Sequence, residues 1–152
     1  MIEVKVEDLT GLALDWAVGT AVGAYGLQIW NYTDGTCDVR FCEPEEEDSP
    51  QTLTLSPTSD WSQGGPLTQK YGVLLSPPKS MVHRNYGNFD ERNGWYESGV
   101  WGATIFGNER KHRRRSFNHP DQPLVAAMRA IVQFELGDVV SVPAALVEGG
   151  AK

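Results

Sequence analysis

Hydrophobic and polar positions near both ends of the chain follow the periods of one strand and two helices. Ile2, Val4 and Val6 alternate with polar residues, which predicts a short strand with one buried face. Residues 9–22 place apolar side chains at i, i+3, i+4 and i+7, the pattern of an amphipathic helix. A second apolar stripe with the same spacing predicts a helix over residues 122–136.

The second helix carries signals at both of its ends. Asp121 is a suitable N-cap, Pro123 favours the first helical turn, and Gly137 favours the C-terminal stop. Its apolar stripe predicts three buried side chains: Leu124, Met128 and Ile131. A last short strand is predicted over residues 139–142, before Pro143.

Between the two helices the pattern predicts several short strands joined by polar loops. The β-branched and aromatic residues of 28–33 and 36–41 flank Asp34-Gly35, which favours a two-residue hairpin turn. Further strands are predicted at three places: residues 52–55, 71–75 and 99–106. Residues 56–66, which contain Pro57, Gly64, Gly65 and Pro66, are interpreted as a loop.

These elements predict an α+β fold, a mostly antiparallel sheet of short strands with two amphipathic helices packed on it. The 152 residues suit a single domain, 1–152, with mobile loops near 43–50 and 76–97. No apolar run reaches the roughly 18 residues of a membrane span, and the N-terminus lacks the pattern of a secretion signal. We therefore expect a cytoplasmic protein that does not bind membranes.

The net charge of −7 is unevenly distributed along the chain. Residues 1–69 hold 12 acidic and two basic side chains, a net charge of −10, whereas residues 70–152 carry +3. An acidic chain argues against non-specific nucleic-acid binding, although residues 110–115 form a basic cluster. The asymmetry would also allow the acidic surface of one copy to face the basic surface of another in a homo-oligomer.

The sequence contains no recognised catalytic or metal-binding signature. Hydrolase, metalloprotease and nucleotide-binding loop motifs are absent, so we expect no enzyme activity and no cofactor. Cys37 and Cys42 have no second cysteine pair and no nearby histidine in sequence, which argues against a zinc site. We interpret them as reduced, structural thiols.

The segment around two consecutive glycines is the best candidate for a binding site. Its glycines could expose backbone amides to an anion, its tryptophan could stack on a ring, and Arg129 could reach it from the second helix. The candidate ligand-binding residues are Ser59, Asp60, Trp61, Gln63, Gly64, Gly65 and Arg129. Alternatively, the segment is a tight turn with a core tryptophan and a capping aspartate, and Arg129 pairs with Asp15 or Asp60 or extends to solvent.

Three blocks of the sequence together resemble one known family. They are Leu9–Val18, Ser56–Leu67, and Pro123–Ala130 followed by Leu136–Pro143. In this order they are similar to the opening, central motif and closing helix and strand of the phage NinX-type proteins. The chain departs from that pattern in the acidic segment Pro44–Pro50 and in the polar segment Pro77–Asn93.

The resemblance implies a phage-encoded accessory protein in the bacterial cytoplasm, with no known reaction. Our first hypothesis is that it binds a nucleotide-like small molecule, by analogy with phage proteins that sequester immune signals. The alternative is an interaction module that masks or redirects a host protein. A third hypothesis, a nucleic-acid accessory factor, rests on the basic residues 110–117.

Overall fold

A computed structural model describes residues 1–43, 51–82, 94–97, 99–106, 115–119 and 121–148. The side chains of residues 79–82, 94–97 and 115–118 lie outside that description. The described residues form four α-helices: α1 (Gly11–Ala21), α2 (Trp61–Lys70), α3 (Pro123–Leu136) and α4 (Ala144–Glu148). Residues 110–114 of the basic cluster and the acidic segment 44–50 lie outside the described residues.

In the described part of the chain, ten short strands pair in antiparallel fashion. They are β1 (Ile2–Lys5), β2 (Gln28–Asn31), β3 (Cys37–Cys42), β4 (Thr52–Thr54), β5 (Leu74–Ser76), β6 (Lys79–Val82), β7 (Gly94–Glu97), β8 (Trp101–Ile105), β9 (Arg115–His119) and β10 (Val139–Val142). The α+β class is confirmed, but the strands form separate small sheets of the orders β1-β10, β2-β3-β4, β5-β8-β9 and β6-β7. Strands β6 and β7 lie within the segment 76–97 that we interpreted as a loop.

The core is built around α3, which packs against α1, β8 and β9. Leu124, Met128 and Ile131 are almost fully buried there, as their spacing predicts. The helix starts one residue later than its capping signal suggests, with Gln122 as N-cap and Pro123 at the first helical position. Gly137 ends it with a φ of 93°, a left-handed conformation that favours glycine.

The hairpin of β2 and β3 is confirmed, but its loop is longer than predicted. The Gly35 amide donates to the Tyr32 carbonyl, and the Tyr32 amide donates to the Thr36 carbonyl. Residues 33–35 therefore form a three-residue loop in which Gly35 adopts a φ of 86°. The Asp34 carboxylate accepts hydrogen bonds from the amide and hydroxyl of Thr36, which stabilise the turn.

Candidate functional site

The central motif forms a tight turn followed by α2, so its interpretation as a loop through Pro66 is wrong from Trp61 onward. The Ser56 carbonyl accepts hydrogen bonds from the amides of Ser59 and Asp60, at 3.2 and 2.9 Å. The Asp60 carboxylate then caps α2 by accepting from the Ser62 amide at 2.8 Å and the Ser62 hydroxyl at 2.7 Å. These bonds hold the pKa of Asp60 below its ordinary value.

Gln63 ties the first turn of α2 to the end of β4. Its side-chain oxygen accepts from the Ser56 amide at 2.9 Å, and its side-chain nitrogen donates to the Thr54 carbonyl at 2.8 Å. Both ends of the amide group are therefore bonded within the chain, and Gln63 holds the strand and the helix together.

The two consecutive glycines are helical and form no anion-binding turn. Neither Gly64 nor Gly65 has a positive φ, and both lie inside α2. Gly64 is buried against the backbone oxygen of Pro57 and the side chain of Leu124, where an added Cβ would lie 2.8 Å from a Leu124 methyl group. Gly64 is therefore required for the close approach of α2 to the turn before it and to α3.

Ser59 and Trp61 face a different part of the surface. They contribute, together with Asp121 and Gln122, to a shallow pocket of about 250 Å³ where α2 and α3 begin. Trp61 is 54% exposed, so it does not fill the core. Its ring lies 4.0 Å from the position that a Cβ on Gly65 would take, one helical turn away.

Arg129 lines neither of the two pockets to which residues of the central motif contribute. Its side chain is only 9% exposed, and its Nε donates to the Leu9 carbonyl at 2.9 Å. No carboxylate of the described residues lies within 4 Å of it, so it pairs with neither Asp15 nor Asp60. Burial lowers its pKa, and Asp8 partly opposes that shift through space. Arg129 thus links α3 to the segment that leads into α1.

Asp60 acts as a helix cap in this structure, which predicts a modest effect of its removal. We expect Asp60→Ala to lower the melting temperature by about 2 to 4 °C, because the Ser62 amide loses its acceptor. Asp60→Ser should retain most of the cap. Asp121→Ala is the matched control, since no side-chain bond caps α3. Differential scanning calorimetry measures all three, and an equal loss for Asp60→Ala and Asp121→Ala would contradict the capping role.

A second pocket, of about 640 Å³, lies between the C-terminal end of α1, strands β3 and β4, and α2. We call it the apolar pocket, and its apolar wall is formed by Val22, Ala24, Phe41, Leu53, Leu55, Pro57 and Leu67. Polar groups are contributed by Tyr25, Cys42, Thr54 and Gln63, and no charged side chain of the described residues lines it. Gln63 is the one candidate residue from the sequence that reaches this pocket.

Two further titratable groups with shifted pKa values, Asp15 and His119, serve the packing of the fold. Asp15 on α1 is 3% exposed and accepts a hydrogen bond from the Thr58 amide at 3.1 Å. Burial raises the pKa of Asp15 to about 6, although the bonds from Thr58 oppose the shift. The Nδ1 atom of His119 accepts hydrogen bonds from the backbone amides of Asp121 and Gln122. Burial and the nearby Arg129 lower the pKa of His119.

The described residues contain no candidate metal centre. No three of their His, Cys, Asp and Glu side chains lie close enough together to hold a metal ion. Cys37 and Cys42 are free thiols, and Cys42 lines the apolar pocket. None of the helices in this part of the chain is long and apolar enough to cross a membrane.

The fold and its pockets define a small α+β protein in which the central motif caps α2 and forms its first turns, beside the apolar pocket. A family model described as "Bacteriophage P22, NinX" matches residues 5–134, which include α1, α2 and most of α3. The chain therefore belongs to the phage P22 NinX family, as its three motif blocks indicated, and is a phage accessory protein. No curated protein matches it.

Proposed function

We propose that this phage accessory protein acts by binding rather than by catalysis, and that the apolar pocket receives an uncharged, largely apolar group. The observation that carries the proposal is the pocket itself, about 640 Å³, whose described lining residues include seven apolar side chains and no charged one. Removing apolar surface from water contributes about 25 cal/mol per Å², which is the driving force for such binding.

The apolar pocket offers few groups that could bind a phosphate of a ligand. A phosphate group is normally held by Arg or Lys side chains or by free backbone amides, and none of the described residues that line the pocket is a cation. Arg129 donates to Leu9 just before α1 begins, whereas the pocket lies where α1 ends. The geometry therefore favours an apolar group, including an apolar side chain of a host protein, over the nucleotide-like ligand that we first considered.

The uncharged dye Nile red tests the pocket directly. We expect it to bind, and we expect Leu53→Lys to weaken that binding about tenfold, because a cation then enters the apolar wall. Leu74→Lys is the matched control. Leu53 and Leu74 are both exposed apolar residues on edge strands, β4 and β5, but only Leu53 lines the pocket.

Cys42 supplies a second, site-specific measurement. Cys42 is one of the residues that line the pocket, so a bound ligand should slow the alkylation of Cys42 by iodoacetamide, while Cys37, which does not line the pocket, should react at an unchanged rate. Calorimetric titrations with a cyclic dinucleotide and with ADP-ribose complete the comparison. Absence of dye binding, or equal weakening by both lysine substitutions, would contradict the proposal, as would Cys42 protection by a nucleotide alone.

A further inference from the structure

The pocket of about 250 Å³ at the start of α2 and α3 is separate from the apolar pocket. We call it the helix-start pocket, and none of the residues that the structure describes belongs to both pocket walls. Its wall is formed by Thr58, Ser59, Trp61, Asp121, Gln122, Pro123 and Leu124. The wall therefore combines one aromatic ring with aliphatic and polar side chains, one of which is a carboxylate.

The polar side chains of the helix-start pocket differ from those of Asp60 and Gln63, which are bonded within the chain. Three of them have no hydrogen-bond partner in the part of the chain that the structure describes: Ser59, Asp121 and Gln122. The indole of Trp61, which is 54% exposed, has no hydrogen-bond partner there either. These groups can therefore bind a ligand without breaking a contact that the fold needs.

We infer that the helix-start pocket binds a guanine base, a site that is additional to the proposed function of the apolar pocket. The Trp61 indole offers a face on which a planar base stacks. The ionised Asp121 carboxylate only accepts hydrogen bonds. Guanine alone among the common bases presents two adjacent donors, N1–H and the 2-amino group, that match two carboxylate oxygens. The side-chain amide of Gln122 then supplies a donor for the guanine O6.

The size and charge of the helix-start pocket favour the base of a nucleotide over its phosphate. Sites for drug-sized ligands measure about 300–1,000 Å³, so a pocket of about 250 Å³ suits a single ring system. No Arg or Lys is found among the described residues of its wall, and the Asp121 carboxylate would repel a phosphate. The sugar and any phosphate therefore remain outside the pocket.

An arginine guanidinium also carries paired N–H donors, but the local field disfavours a cation. The start of α3 carries partial positive charge, which no side-chain cap and no acid within its first turn offsets. The charge of Arg129 acts in the same direction, since it lowers the pKa of His119. The Nδ1 atom of His119 is bonded to the backbone amides of two wall residues, Asp121 and Gln122. An uncharged base avoids this repulsion.

NMR titrations of the 152-residue chain test the inference, because each tryptophan indole N–H gives a separate signal. The probes are guanosine, guanosine 5′-monophosphate, adenosine, N-acetyl-arginine amide and inosine, which lacks the 2-amino group of guanosine. We expect guanosine to shift the Trp61 signal and to bind at least about tenfold more tightly than inosine or adenosine, which leave the carboxylate incompletely paired. The monophosphate should bind about as tightly as guanosine.

Variants assign the binding to individual side chains. Trp61→Ala should weaken guanosine binding at least about tenfold through loss of stacking. Asp121→Asn should weaken it as well and remove most of the preference over inosine, and it tests the site independently of any packing lost in Trp61→Ala. The matched controls, Trp30→Ala and Asp8→Asn, change exposed residues outside the pocket wall and should bind guanosine normally.

Four results would overturn the inference. The first is that guanosine leaves the Trp61 signal unchanged, and the second is that guanosine and inosine bind equally. The third is tighter binding of the arginine derivative, which would make a cation the occupant. The fourth is an equal loss of guanosine binding in the variants and their controls. Nile red binding tests the proposed function separately, because the two pockets share no described residue.

Discussion

Replacing Gly64 with Ala is expected to lower the free energy of unfolding by about 2 to 3 kcal/mol. The new Cβ would clash with the backbone oxygen of Pro57 and would lie 2.8 Å from a methyl carbon of Leu124. The Pro57 oxygen belongs to the backbone and cannot rotate away, so α2 must shift from the turn before it. Alanine's better helix propensity, worth about 1 kcal/mol, offsets only part of this loss.

The neighbouring glycine provides the control. A Cβ on Gly65 would find its nearest neighbour, a ring carbon of Trp61, at 4.0 Å, an ordinary contact distance. Gly65→Ala should therefore stabilise the protein by about 0.5 to 1 kcal/mol through helix propensity alone. Urea denaturation followed by circular dichroism measures both variants. Equal effects of the two substitutions would mean that Gly64 is not needed for packing.

Replacing Asp15 with Asn is expected to stabilise the protein near neutral pH and to have a much smaller effect in acid. Asp15 is 3% exposed, and its pKa rises from its ordinary value of 3.8 to about 6 in the folded chain. A shift of about two pKa units corresponds to about 3 kcal/mol between the two protonation states. Asn keeps an oxygen that can accept the Thr58 amide but carries no charge into the core.

The sign of the pH dependence follows from the direction of the shift. Between about pH 4 and pH 6 the folded chain holds a proton on Asp15 that the unfolded chain has released. Raising the pH through this window therefore destabilises the native protein relative to the Asn variant. Urea unfolding at about pH 4 and about pH 8 should give stability differences that diverge by about 3 kcal/mol.

A surface aspartate offers a contrast of opposite sign. The pKa of Asp34 is lowered by the hydrogen bonds it accepts from Thr36. Asp34→Asn should therefore destabilise the protein at neutral pH, with the effect fading as the pH falls below the ordinary pKa of 3.8. If Asp15→Asn also destabilised the protein at neutral pH, that result would contradict a raised pKa of Asp15 in the folded chain.

Local patterns predicted the elements whose formation depends on residues within a few positions of one another. The stripes of α1 and α3, the turn at Gly35 and the alternation of β1 all appear in the sequence itself. The sequence analysis did not predict α2. Its first two turns contain Gly64, Gly65 and Pro66, and each of these residue types has a low intrinsic helix propensity. The cap from Asp60 and the packing of Gly64 against Pro57 and Leu124 outweigh those preferences.

The candidate site was predicted only in part, and the reason lies in contacts between distant segments. Four of the residues that the sequence analysis proposed for ligand binding make specific contacts within the structure. They are Asp60, Gln63, Gly64 and Arg129. The sequence carries no indication that Arg129 bonds to Leu9, 120 residues away. Whether any of the seven candidate residues binds a ligand stays a prediction.

The sequence by itself determined the α+β class, the two main helices, the family and the concentration of negative charge in residues 1–69. These properties depend on composition and on the period of neighbouring side chains, which a chain carries before it folds. Tertiary structure alone decided that the central motif caps and begins α2, and that Asp15 is buried against Thr58. It alone also brought Val22, Leu53 and Leu67 into one pocket, because their distance in space depends on how separate elements pack.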